Sequence, residues 1–376
     1  MTVRLTALAL AASLLAGTAA AAPHRGAPAS PLPLGDLLLV GVPGADLEGN
    51  AEARALICDV RAGGVILFER SVATGAPRNI LSAEQLARFT GDMQALARRC
   101  AGRPLLVAAD NEGGRVMRLS ERAGFLATPS AQELGAAGDL ALTELEARRL
   151  GTVMRAAGIN WNLAPVVDIA VNPGNPAVVA LMRTFSADPE RVTAHARAFV
   201  RGMHAAGVLT SLKHFPGHGS SRVDSHHGFT DISDSAELAA ELQPYRALIR
   251  EGLADSVMPG HVYNRHLDPR LPASLSRATI TGLLRGTLGY TGLVVSDDLL
   301  MGAITQRYGV EEAAVLALRA GADVLLVSGN TPKDEGRAAE RVVAEIRRAL
   351  ADGRLAPSAV RAALRRIAAF RSRTTL

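Results

Sequence analysis

Eight short apolar or β-branched runs, with helix-forming segments between them, predict an α/β chain closed into a single (β/α)8 TIM barrel. Two observations favour the closed barrel over an open doubly wound sheet. The units number eight, and the glycine fingerprint of a dinucleotide-binding turn is absent. A length of 376 residues suits one such domain, because these barrels run to about 250 residues and beyond.

The predicted strands are Leu37 to Val42, Val65 to Phe68, Leu105 to Ala109, Asn160 to Ala164, Leu209 to Lys213, Ser256 to Met258, Leu293 to Ser296 and Asp323 to Val327. Each is a short apolar run, the pattern of a parallel strand buried on both faces. Between them, Glu84 to Arg99, Leu142 to Ala157, Pro189 to Ala206, Ala236 to Glu251 and Val310 to Ala320 carry helix formers. Gly158, Gly207, Gly252 and Gly321 stand where left-handed caps would end several of these helices.

Ahead of the first strand, Arg4, the apolar run Leu5 to Leu15 and the small residues Ala20, Ala21 and Ala22 have the form of a secretory signal peptide over residues 1–22. No cysteine follows that run to carry a lipid, and no later stretch of about 20 apolar residues is present to anchor the chain in a membrane. Residues 23–34, rich in Pro, Ala and Gly, read as a flexible leader, and residues 35–376 as the barrel with a C-terminal helix. Export would place the protein in a periplasm or outside the cell. There Cys58 and Cys100 could pair; two buried free thiols are the alternative.

Lys213 and Lys333 are the only lysines, so a net charge of +5 and a pI near 9.7 rest almost wholly on arginine. The basic residues are dispersed apart from Arg361, Arg365, Arg366, Arg371 and Arg373. These read as the solvated face of a last helix or as a weak attraction to an anionic wall. Aromatic residues make up 3%, too few for a surface that grips nucleic acid by base stacking.

Asp110, Lys213, His214, His261 and Asp297 all lie at or just beyond the end of a predicted strand, the rim where such barrels build active sites. A single Asp there is usually a helix cap, but several polar groups at one rim point to a site. Residues 213–231 hold four of the nine histidines, His214, His218, His226 and His227, in a loop too long for a plain connection. Asp224, two residues before His226, can orient its imidazole and stabilise its charge, giving a proton donor and acceptor near neutral pH. A zinc site from His214, His218, Asp224 and His226 matches no standard ligand spacing; a purely structural loop is the remaining reading.

Lys213-His214-Phe215-Pro216-Gly217-His218-Gly219, followed by Asp224-Ser225-His226, resembles the signature of glycoside hydrolase family 3, in its β-N-acetylhexosaminidase branch. The resemblance runs from about Leu38 to Asn330. It includes Asp110-Asn111-Glu112-Gly113-Gly114-Arg115-Val116-Met117-Arg118, similar to a substrate-binding segment, Arg183-Thr184-Phe185, and Ser296-Asp297-Asp298-Leu299. It implies Asp297 as nucleophile and His226, paired with Asp224, as general acid and then base, in place of the usual second carboxylate. Asp298 competes for the nucleophile role on residue type alone and is set aside on its motif position. Asp110, Arg118, Arg183, Lys213 and His214 are implied to hold the sugar hydroxyls and acetamido group; His261 either lines the pocket or is structural. Asn111 in place of Gln, His227-Gly228-Phe229, and Pro259-Gly260 before His261 depart from the usual pattern.

The implied activity is release of terminal β-linked GlcNAc from peptidoglycan fragments or chitooligosaccharides, with no metal or cofactor and with a carbohydrate as partner. The alternatives are a β-glucosidase or β-xylosidase of the same family, a phosphorylase variant, and a catalytically silent wall-binding protein. The glucosidase relatives generally draw their acid/base from a second domain, for which there is no room after about residue 355.

Overall fold

The computed structural model describes Thr2, residues 32–331 and residues 337–374. The expected signal peptide, apart from Thr2, and the leader before residue 32 lie outside the described residues.

Eight parallel strands form one sheet: β1 (Leu38–Gly41), β2 (Gly64–Ile66), β3 (Leu106–Ala109), β4 (Trp161–Asn162), β5 (Leu209–Phe215), β6 (Ser256–Pro259), β7 (Leu293–Val294) and β8 (Leu325–Val327). They pair in chain order, β1 pairs with β8, and a bridge between Val295 and Val324 joins β7 to β8. The ring is therefore closed, as the eight runs predict. Every residue of β1, β3, β5 and β6 is buried, which explains why those runs lack the alternation of a half-exposed strand.

Among the surrounding helices are α1 (Ala51–Cys58), α2 (Ala83–Ala101), α3 (Leu140–Ala156), α4 (Pro189–Ala205), α5 (Gln243–Arg250), α6 (Val310–Ala320), α7 (Ala338–Ala351) and α8 (Pro357–Ser372). The side chains of Ser82, Asp139 and Asp188 accept first-turn N–H groups of α2, α3 and α4. On α2, Leu86, Phe89, Met93, Leu96 and Ala97 are buried at helical spacing and seat it on the sheet. Gly321 closes α6 with φ 109°, a backbone region costly for any side chain.

Two expectations change, and one element is new. The helix expected over Ala236 to Glu251 is two pieces, Leu238–Glu241 and α5, because Pro244 lacks an N–H and suits only a first turn. Between β6 and β7 the chain forms a π-helical stretch, Ala278–Thr287. The arginines of the last helix are not simply a solvated face. Arg366 pairs with Asp323 at 2.8 Å, Arg371 with Asp36 at 2.8 Å, and Arg373 with Asp255. Arg361 and Arg365 do face solvent.

Asp36, Asp255 and Asp323 each lie just before a strand, so these pairs fasten α8 across the N-terminal face of the barrel. The Trp161 ring, with Nε1–H donating to Ser256 Oγ at 3.1 Å, packs 4.9 Å from Phe370 of α8. Cys58 and Cys100, at the C-terminal ends of α1 and α2, are joined in a disulfide with Cα atoms 5.0 Å apart. No helix among the described residues is long and apolar enough to cross a membrane.

Candidate active site

The C-terminal ends of the strands carry the polar groups. Beyond β3, Asn111–Gly113 and Val116–Met117 form a small antiparallel hairpin that turns Arg118 back on Asp110, with Nη2 3.3 Å from Oδ2. Asn111 drives that turn: its side-chain oxygen accepts the N–H groups of Arg118 and Leu119, each at 3.0 Å, while its own N–H donates to Asn162 Oδ1. Asn in place of Gln thus concerns the backbone of the hairpin. Gly114 is forced there, since a β-carbon would lie 2.5 Å from Ser130 Cβ on a backbone with φ 57°.

From β5, Lys213 Nζ sits 2.8 Å from Asp110 Oδ1 and 2.7 Å from Glu112 Oε1. Arg183 grips Glu112 with two bonds of 2.8 Å, and its Nη2 lies 3.3 Å from His214 Nε2. His214 Nδ1 lies 2.7 Å from Asp168 Oδ2. A guanidinium only donates, so Nε2 of His214 is the acceptor and Nδ1 carries the proton toward Asp168. Asp168 Oδ1 also accepts the N–H groups of His214 and His218, pinning the start of the long loop. Burial alone would raise the carboxyls of Asp110 and Glu112. Lys213 and the arginines outweigh it, holding Asp110 well below the carboxylate range and Glu112 at about 2. The five predicted sugar-binding residues are therefore one connected, mostly buried set of polar groups, joined by two carboxylates, Glu112 and Asp168, that sequence reasoning gave no role.

The loop after β5 is held by hydrogen bonds among its own side chains. His218 sits between Ser221 Oγ at 2.8 Å and Ser225 Oγ at 3.1 Å, and burial with the neighbouring His214 lowers it to about 4. Asp224 Oδ1 accepts both the backbone N–H of His226 at 2.9 Å and Nδ1–H at 2.7 Å, the arrangement their spacing predicts. That bond raises the His226 imidazole above its ordinary range, while its far side stays open to solvent. Thus His214, His218 and His226 are bonded to separate partners.

The loop is also latched to the segment after β7. Ala303 N–H donates to Ser225 O at 3.1 Å and Gln306 Nε2 to His227 O at 2.9 Å. The approach is so close that a β-carbon on Gly302 would lie 2.7 Å from His226 O. Phe229 packs under Arg307, 3.6 Å from the ring centroid, and 5.2 Å from the Tyr263 ring centroid. The unusual His227-Gly228-Phe229 continuation is part of this latch.

Asp297 and Asp298, just beyond β7, differ in environment. The Asp298 carboxylate is bonded to the hydroxyl and N–H of Ser328 beyond β8 and to Leu300 N–H; burial pushes it up to about 6. Asp297 Oδ1 accepts the Asp298 N–H at 2.8 Å. Burial acts upward on Asp297 too, but it is held low, with the His226 imidazole and the Asp298 N–H among the groups that favour its ionised form. A cleft of about 1190 Å³ runs along this rim, lined by Phe68, Arg118, His226, Asp297, Met301 and Ser328 among others. Lys213, His214, Arg183 and His261 are buried and outside its lining. That volume is ample for more than a single sugar ring.

Residues 33–370 match the model of the glycosyl hydrolase family 3 N-terminal domain. The chain is 41% identical over 300 residues to a β-hexosaminidase of Stenotrophomonas maltophilia strain R551-3, covering 77% of this chain and 83% of that one. Its fold resembles a family 3 β-N-acetylglucosaminidase from Paenibacillus sp. FPU-7 (TM-score 0.83, 38% identity, 91% of this chain), of whose length it spans 62%. It also resembles a β-N-acetylhexosaminidase from Beutenbergia cavernae (TM-score 0.80, 34% identity, 90% of this chain and 97% of that one). A match over nearly all of the closed barrel, including its charged rim, makes this chain a member of glycosyl hydrolase family 3.

Proposed function

We propose that this glycoside hydrolase is a retaining exo-β-N-acetylglucosaminidase that cleaves terminal β-linked GlcNAc from peptidoglycan fragments or chitooligosaccharides. One observation carries the reading: Asp297 and His226, from loops after different strands, line the same cleft with environments that push them in opposite directions. A carboxylate shifted toward its ionised form and an imidazole shifted toward its protonated form, in one cleft, are suited to act as nucleophile and acid.

In the first step an Asp297 oxygen attacks the anomeric carbon, and the glycosidic oxygen departs with the proton of His226 Nε2. In the second, His226 takes a proton from water, whose oxygen displaces Asp297 from the face the leaving group vacated. The β-configuration is restored, and the carboxylate is freed. Asp224 holds the imidazole and balances its charge. Arg118, Asp110, Lys213, Arg183 and His214 are the glycone set, their mutual bonds fixing donors and acceptors before the sugar arrives. Export to a periplasm or beyond is supported by the leader composition and by the Cys58–Cys100 disulfide.

The test compares aryl β-glycosides of GlcNAc, glucose and xylose on the mature protein, with Asp297→Ala as control. Preferential GlcNAc release, abolished in the variant, is expected; preferential glucose or xylose release would overturn the sugar assignment. His226→Ala should lower turnover by roughly 10² to 10⁴ on poor leaving groups and much less on activated aryl glycosides. Equal losses on both would remove His226 from the acid role.

A further inference from the structure

His261 lies two residues beyond the end of β6, is 1% exposed and does not line the cleft. Both of its ring nitrogens are engaged: Nδ1 lies 2.7 Å from Ser274 Oγ, and Nε2 lies 2.8 Å from the carbonyl oxygen of Asp298. A carbonyl only accepts, so Nε2 carries the proton and Nδ1 accepts from the Ser274 hydroxyl. Burial lowers this imidazole, in keeping with a ring that holds one proton. Ser274 is itself fixed, buried and with its N–H bonded to Gly260 O at 3.2 Å.

Asp298 is where this bond matters, because its own N–H donates to Asp297 Oδ1 at 2.8 Å. The ring thus grips the residue whose N–H holds the Asp297 carboxylate. The same short segment touches the other rim. Gly260 N–H donates to Phe215 O at 2.9 Å, and a β-carbon on Gly260 would lie 2.9 Å from His214 Cβ. Pro259-Gly260, atypical as a sequence, lets His261 stand between the sugar-binding rim and the Asp297 loop.

We propose that His261 is a positioning residue for Asp297: braced by Ser274, its Nε2–H holds the Asp298 backbone so that the Asp298 N–H keeps the carboxylate aimed at the anomeric carbon. This rests on the reading of Asp297 as nucleophile.

Two amides separate this role from a merely structural one. The side-chain nitrogen of Gln can reach the place of Nε2, whereas that of Asn reaches only the place of Nδ1. His261→Gln should stay within about tenfold of the parent kcat. His261→Asn and His261→Ala should lose about 10²-fold in kcat with KM nearly unchanged, the scale of a misplaced reacting group. The loss should extend to activated aryl glycosides, unlike that of His226→Ala. Ser274→Ala keeps the ring but removes its brace and should lower kcat about three- to tenfold; it serves where the His261 variants fold poorly. Equal kcat for the Gln and Asn variants at matched melting temperatures, or no effect of Ser274→Ala, would overturn the proposal. An active Asp297→Ala would instead overturn the nucleophile reading beneath it.

Discussion

Glu241 is buried beside the Gly217 turn, with Oε2 accepting the Glu237 N–H at 3.1 Å. Burial, and then the buried charge of Asp168, push its carboxyl up to about 7. The unfolded carboxyl ionises near 4.5, so between that pH and about 7 the folded chain holds a proton the unfolded chain has released. Stability from this group is whole below about 4.5 and is lost as pH rises to about 7, roughly 3 kcal/mol in all. Glu241→Gln, neutral at every pH, should therefore gain about 2–3 kcal/mol relative to the parent at pH 8 compared with pH 4.5, by urea unfolding. A pH-independent offset would mean the carboxyl is not held neutral. At this scale the sequence exposed the donors and acceptors but not their partners. Asp168 was readable as a carboxylate in the apolar run Val166-Val167-Asp168-Ile169. Glu112 stood unassigned within a motif, and motif position alone set Asp297 apart from Asp298. Ser328 distinguishes those two, and it arrives from the next strand.

Among the elements, α2, α3, α4 and α6 followed from composition and caps, but the break at Pro244 and the function of α8 did not. Its Arg366 meets Asp323, a fully buried carboxylate also held by Arg285 at 2.8 Å and by the Val294 N–H at 2.9 Å. Arg366→Ala should lower the unfolding free energy by about 2–3 kcal/mol, since it removes a charged partner from a carboxylate that cannot be resolvated. Arg361→Ala and Arg365→Ala, on the exposed face of the same helix, should change it by less than about 0.5 kcal/mol. Equal effects from all three would return the cluster to a plain solvated face. Charge counts cannot distinguish these arginines, because Arg366, Arg371 and Arg373 meet acids that precede three different strands.

For the whole molecule, the disulfide closes a loop of 42 residues between α1 and α2. In the chain-entropy model such a closure contributes about 4 kcal/mol. The Cys58→Ser/Cys100→Ser double variant should unfold at lower urea by up to that amount while kcat is unchanged, because the bond lies at the helix ends away from the cleft. A loss of activity at equal stability would contradict that placement. By itself, the sequence determined the eight β/α units, the order of the strands and the Asp224–His226 pair, since each depends on periodicity or on residues a few positions apart. Only the tertiary structure decided the partners of Lys213 and Arg183, the difference between the two aspartates after β7, and the bracing of His261. Those contacts join residues that only closure of the barrel brings to one rim, and burial there sets which charges are stable.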